Sequence, residues 1–151
     1  MKEAMKNVGI IAGGFSSEYK ISVLSATNIK NNFPKEFKVY LLLMDKKGWS
    51  VKLDNESIIP VDSSKLTFIE NGELVKIDVA IVYIHGDPGE NGKLQAYLEM
   101  IGVPYINSGP LASQLSFDKW YCNQFLRGFG FKVADSIYLE NEDKPIDEKA
   151  I

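Results

Sequence analysis

Hydrophobic and polar positions fall into two recurring patterns along this chain. Short, nearly continuous apolar runs occur at Asn7–Ala12, in "FKVYLLLM" (37–44) and in "VAIVYI" (79–84). Their length and β-branched content predict strands buried on both faces. Helical spacing separates them. A first helix is predicted from about Ser17 to Asn32, with Ile21, Leu24 and Ile29 on its buried face and Lys20, Asn28 and Asn31 toward water. Ser16 or Ser17 is its expected N-cap, and Pro34 ends the pattern. Leu94, Tyr97, Leu98 and Ile101 follow the i, i+3, i+4, i+7 spacing of a second helix, stopped by Gly102. Beyond it, "VPYIN" reads as a short strand and "GPLASQLS" as a short helix. "DKWYCNQFLRGF" reads as a helix capped by Asp118 or Ser116, and "VADSIYL" as a last strand. Residues 45–77 break the rhythm with short alternating segments around Asn71-Gly72, a strong hairpin signal, and predict an antiparallel excursion on the sheet edge.

Strand–helix–strand alternation predicts an α/β fold with an open, mostly parallel sheet, in which ligands bind at the carboxyl ends of strands. Two glycine-rich loops obey that rule, "GGFSSE" after the first strand and "HGDPGENG" after "VAIVYI", and both are expected at the same sheet edge. The first loop lacks the third glycine of a dinucleotide fingerprint and the Gly-Lys-Ser/Thr of a P-loop. It reads either as a tight serine-capped turn or as a site centred on Glu18. In the first turn of a helix the dipole favours negative charge, and a carboxylate there suits an ammonium group. The free N–H groups of the same terminus suit an anion. His85, the one histidine, reads either as a hydrogen-bonded loop residue or as a donor to a substrate carboxylate or carbonyl, oriented by Glu90. No residue spacing here supports a metal site.

Composition narrows the classes. Hydrophobic residues make up 45% and charged residues 25% of 151 positions, ordinary for a globular domain, and a net charge of −3 gives no nucleic-acid footprint. The apolar runs are too short to span a bilayer, and no signal-peptide pattern opens the chain, so a membrane partner is not expected. One cysteine, Cys122, forms no internal disulfide and fits a cytoplasmic location; its neighbours Tyr121, Phe125 and Leu126 mark it as a packing residue.

"IIAGGFSSEYKISVLSA", "IHGDPGENGKLQAYLEMIGVPYINSG" and "LASQLSFDKWYCNQFL", in this order, resemble the amino-terminal part of D-alanine–D-alanine ligases over about residues 7–140. The resemblance implies a Rossmann-like pre-ATP-grasp domain over 1–117 and the first helix and strand of an ATP-grasp domain over 118–151. It implies joining of two D-alanines with ATP and Mg2+ for peptidoglycan synthesis, by a cytoplasmic homodimer. Glu18 would then be the catalytic residue at the ammonium of the first D-alanine, with His85 near its carboxylate and Gly13 and Gly14 lining the substrate. Ser17, Gly86 and Glu90 would support them, and Lys119 would contact nucleotide phosphates. The magnesium ligands and phosphate-clamp arginine of the family are not matched in this chain. The expectation is therefore an amino-terminal fragment, inactive alone. Asn91 stands where many members have Asp, which alters the charge beside Glu90. The alternatives are a non-catalytic nucleotide- or metabolite-binding module and a sister ligase using D-lactate or D-serine as second substrate.

Overall fold

A computed structural model describes residues 5–138, which fall into two compact units divided between Gln114 and Leu115. The first unit is built on a six-stranded sheet. At its centre β1 (Asn7–Gly13) pairs in parallel with β2 (Lys38–Asp45) on one side and β7 (Val79–Val82) on the other. β8 (Tyr105–Ile106) adds in parallel beyond β7, while β3 (Gly48–Lys52) and β4 (Ile58–Pro60) add antiparallel beyond β2. The α/β class with a mostly parallel sheet is as expected from the sequence.

The pleat of β1 divides the core. Ile10 and Ala12 face α1 (Tyr19–Asn31), where they meet Leu41, Ala26 and the half-buried Val23 and Ile29. Ile11 faces the other way with Leu42, and α2 (Lys93–Met100) covers that side through Leu94 and Leu98. Residues one apart on a strand serve opposite faces, so both faces of a central strand must be apolar. The helix spacing of Leu94, Tyr97, Leu98 and Ile101 is fulfilled, since all four belong to this core or pack on it.

The buried face of α1 differs from the sequence reading. Ile21 and Leu24 are exposed, and the residues buried are Ser22 and Ala26. Ser22 bonds to Gly13 and Tyr83 and Ala26 packs with Ile10 and Leu41, so these small residues take the contact with the sheet while Ile21 and Leu24 lie off it. Nor does a serine side chain cap it: Glu18 occupies the N-cap position without a side-chain capping bond, and the helix runs to Asn31, before Pro34.

The antiparallel segment is also split. β3 and β4 extend the sheet edge as expected, but β5 (Thr67–Glu70) and β6 (Glu73–Lys76) form their own two-stranded sheet. β4 carries Pro60, which has no N–H to offer a further strand. The hairpin instead folds onto the α2 side, burying Phe68 and Val75 in that core. Its turn is the one the sequence signals, with Asn71 and Gly72 both at positive φ (52° and 84°). Glu70 ties it to β2, accepting from Lys38 Nζ (2.8 Å) and Tyr40 OH (2.9 Å), and the Lys38 ammonium foremost holds its carboxyl below the usual range.

The helix α3 (Pro110–Phe117) spans the division between the units. The second unit contains α4 (Lys119–Gly128), capped as expected by Asp118, whose carboxylate accepts from the N–H groups of Trp120 (3.0 Å) and Tyr121 (3.1 Å). None of its residues is buried, so Cys122 is half-buried on a helix without a core of its own. Tyr121, Phe125 and Phe129 are exposed. The strand expected over "VADSIYL" is not formed at residues 133–138, where no partner strand exists among the described residues; Leu139 lies outside them.

Two substitutions on α1 separate the observed face from the sequence-read one. Leu24→Ala is expected to change stability by less than about 0.5 kcal/mol, as for other exposed positions. Ala26→Leu is expected to cost about 1–3 kcal/mol by overpacking against Ile10 and Leu41. Urea unfolding followed by far-UV circular dichroism measures both.

Candidate functional site

Because β1 and β7 are adjacent and parallel, their carboxyl ends bring the two glycine-rich loops side by side. The turn after β1 is held on both flanks by its own backbone: Gly14 N–H donates to the Met44 carbonyl at the end of β2 (2.8 Å), and Phe15 N–H to the Asp87 carbonyl in the loop after β7 (2.9 Å). Only glycine fits at the two preceding positions. Gly13 and Gly14 have φ of 100° and 96°, and a Cβ on either would come within 2.4 Å of its neighbours, the Met44 carbonyl oxygen and the Ile84 side chain respectively. Their role in this geometry is steric: they let three strand ends converge.

Hydroxyl groups stitch the convergence. Ser22, fully buried on α1, accepts from Gly13 N–H (2.9 Å) and donates to the Tyr83 carbonyl. Ser16 donates to the His85 carbonyl (2.8 Å) and accepts from Glu18 N–H (3.2 Å). The sequence reading missed both roles. Ser22 was detectable as a polar residue at helical spacing from Ala26 and Ile29; the bonding of Ser16 across 69 residues has no local signal. Ser17, expected to support the site, is exposed.

Glu18 is exposed at the amino end of α1, and its carboxylate has no partner among the described residues. His85 is partly exposed, its ring edge-on to Tyr83 at 5.6 Å and its Nδ1 3.9 Å from Glu90 Oε1. Glu90 also folds its own loop back, accepting from Gly86 N–H through Oε2 (2.8 Å). Glu18 and His85 are thus carried by two loops that Ser16 joins, and Gly86 and Glu90 shape the second. Lys119 is the first residue of α4, in the other unit, and exposed. No group of three or more His, Cys, Asp or Glu able to hold a metal ion occurs among the described residues. A mostly apolar pocket of about 330 Å³ lies on the α2 side, walled by Phe15, Met44, Trp49, Pro88, Leu94 and Tyr97, with Ser63 and Lys93 as its polar lining. Its lining offers one ammonium, Lys93, and no carboxylate, so it does not suit a small zwitterion, which needs paired charges.

Asn91 has a defined place. Its amide donates to Asp87 Oδ1, which also accepts from Lys93 Nζ at 2.8 Å. The Lys93 ammonium first, and the Asn91 amide second, hold the Asp87 carboxyl below the ordinary carboxylate range. An Asp at position 91 would set a second carboxylate against the first.

A group with a depressed folded-state pKa stabilises above its unfolded value and loses that contribution as pH falls through the folded one. The stability difference between wild type and Asp87→Asn is therefore expected to be constant above about pH 5 and to shrink below the unfolded carboxylate value near 4. With Asp87 40% exposed its size is under about 1 kcal/mol. Asn91→Asp is expected to destabilise at neutral pH, the loss fading on acidification; thermal unfolding across pH reads both.

The family model described as D-ala D-ala ligase N-terminus matches residues 7–108. A curated relative from Porphyromonas gingivalis, named D-alanine--D-alanine ligase, is 42% identical over 137 residues, which is 90% of this chain and 42% of the relative. The solved D-alanyl-alanine synthetase A of Vibrio cholerae is 32% identical with a TM-score of 0.72, covering 85% of this chain and 38% of that one. The D-alanine--D-alanine ligase of Bacillus anthracis, solved in complex with ATP, is 26% identical with a TM-score of 0.68, covering 96% and 44%. This chain spans less than half the length of the curated relatives it matches. It belongs to the D-ala D-ala ligase N-terminus family.

Proposed function

We propose that this chain is the first-substrate half of an ATP-dependent D-alanine–D-alanine ligase serving peptidoglycan synthesis, in which Glu18 grips the ammonium of the first D-alanine. The observation that carries the reading is a carboxylate without a partner among the described residues, at a helix amino terminus on a turn tied to the loop that bears the chain's one histidine. Such a carboxylate pairs with an ammonium through charge-assisted hydrogen bonds. His85 is suited to donate to the substrate carboxylate, and Glu90, 3.9 Å from its Nδ1, to orient it. Gly13 and Gly14 let the backbone approach the substrate, with Ser17 and Gly86 at the edges of the two loops.

Holding the amino acid by its ammonium, with His85 at its carboxylate, fixes where that carboxylate lies. Orientation of that kind supplies much of the rate of a ligation between two bound reactants. ATP, the co-substrate, supplies activation of that carboxylate. From this chain we assign it only Lys119, and take residues 118–151 as the start of the ATP-grasp domain that follows a substrate-binding domain over 1–117. By family likeness the magnesium ligands are assigned to the part of a full-length ligase that this chain does not span. Homodimerisation and a cytoplasmic location complete the reading, both by family likeness.

Titration of D-alanine into this chain, read by 1H–15N NMR, is expected to shift the resonances of Glu18, His85 and Gly86. Glu18→Gln is expected to weaken binding by about tenfold or more while leaving the fold intact, as for loss of a hydrogen bond to a charged group. Unchanged binding would remove Glu18 from the site. In an assay of phosphate release with ATP and D-alanine, the 151-residue chain alone is expected to be inactive and a full-length protein carrying it active.

A further inference from the structure

We propose that Ser16 is a positioning residue that sets the spacing between the Glu18 carboxylate and the His85 imidazole before substrate arrives. The inference rests on the reading of Glu18 and His85 as the binding pair for the first D-alanine. Its hydroxyl spans them directly, donating to the His85 carbonyl at 2.8 Å and accepting from the Glu18 N–H at 3.2 Å. A hydroxyl is one of the few side-chain groups that donates and accepts at a single atom, so one residue meets both backbones with no intervening side chain.

The surroundings leave that oxygen little freedom. A Cβ on Gly86 would sit 3.1 Å from the Ser16 Cβ, so the serine is packed directly against the backbone that follows His85. The turn is fixed from its other side by Phe15 N–H bonding to the Asp87 carbonyl (2.9 Å), and the loop is folded by Glu90 on Gly86 N–H. Ser22 makes a similar bridge between Gly13 and Tyr83, but it joins strand ends inside the core, and its hydroxyl reaches neither Glu18 nor His85. Ser16 is the one described hydroxyl that bonds the main chain of both. Fixed spacing matters because two poles of one small zwitterion must be met together, and a loosely supported pair loses binding to the entropy of its own ordering.

The test is a double-mutant cycle on this chain, with D-alanine affinity read by 1H–15N NMR and stability by thermal unfolding. Ser16→Ala is expected to weaken D-alanine binding about three- to tenfold, the scale of one or two neutral hydrogen bonds. Ser16→Thr, which keeps the oxygen, is expected to restore most of it. In the Glu18→Gln background Ser16→Ala is expected to add little to the loss of affinity, while its effect on the melting temperature is the same in both backgrounds. Wild-type affinity in Ser16→Ala, with Glu18→Gln clearly weakened, overturns the role of Ser16 alone. An equal loss of affinity in both backgrounds also overturns it, because a general structural role behaves so. Absence of any Glu18→Gln effect overturns the reading of the site and this inference together. If Ser16→Ala fails to fold, Ser16→Thr decides: a folded threonine variant that binds as weakly as Glu18→Gln contradicts the proposal.

Discussion

The absence of a Cβ at two successive residues is the constraint on which the rest of the first unit depends. β1 is flanked on both sides by parallel strands, so its exit must pass between the ends of β2 and β7. Gly13 and Gly14 make that passage in a backbone region that side chains rarely adopt, with 2.4 Å left to the nearest atoms. Everything downstream follows from it. Gly14 and Phe15 bond to the strand ends on either side, Ser16 reaches the second loop, and α1 starts where its amino terminus faces the same edge. A bulkier exit would push the turn outward and separate the two loops.

Charge around this edge is unevenly settled. Asp87 is held by Lys93 and Asn91, and Glu90 by the backbone of its own loop. Elsewhere in the unit Glu70 has Lys38, and Lys30 has Asp54 at 2.6 Å. Against these, the Glu18 carboxylate lacks a protein partner among the described residues. A helix amino terminus makes such a negative charge tolerable without a counter-ion, and so leaves it available to an incoming cation.

Much of this was legible in the sequence where a feature is local. The apolar runs of β1, β2 and β7, the Asn71-Gly72 turn, the α2 stripe and the Asp118 cap each depend on residues close together in the chain. The errors share a different origin. Ile21 and Leu24 obey helical spacing yet face water, because Ser22 and Ala26 take the contact with the sheet, and which face of a helix does so is decided by tertiary packing. The β5–β6 pair was placed on the sheet edge because pattern cannot distinguish a strand that extends a sheet from one that folds over it; Pro60 held the clue. "VADSIYL" has strand composition, but a strand exists only with a partner to receive its bonds. For the candidate site, the sequence singles out Glu18 and His85 by their places beside glycines. It does not single out the hydroxyl joining them, since nothing near Ser16 signals a residue 69 positions away.

The sheet's two outer strands have a consequence for how this molecule behaves at high concentration. β4 is three residues long and ends in proline, and β8 is only two residues long. An exposed outer strand offers unsatisfied main-chain groups on which a neighbouring molecule can build, the first step toward fibrils and swapped assemblies. Here each side presents too few such groups to template an addition, and proline deletes a donor from one of them. The hydrophobic strands at the centre, β1, β2 and β7, are the segments most prone to self-association when exposed, and they lie inside these short guards. The same economy that ends the sheet early keeps its most adhesive strands out of reach of other copies.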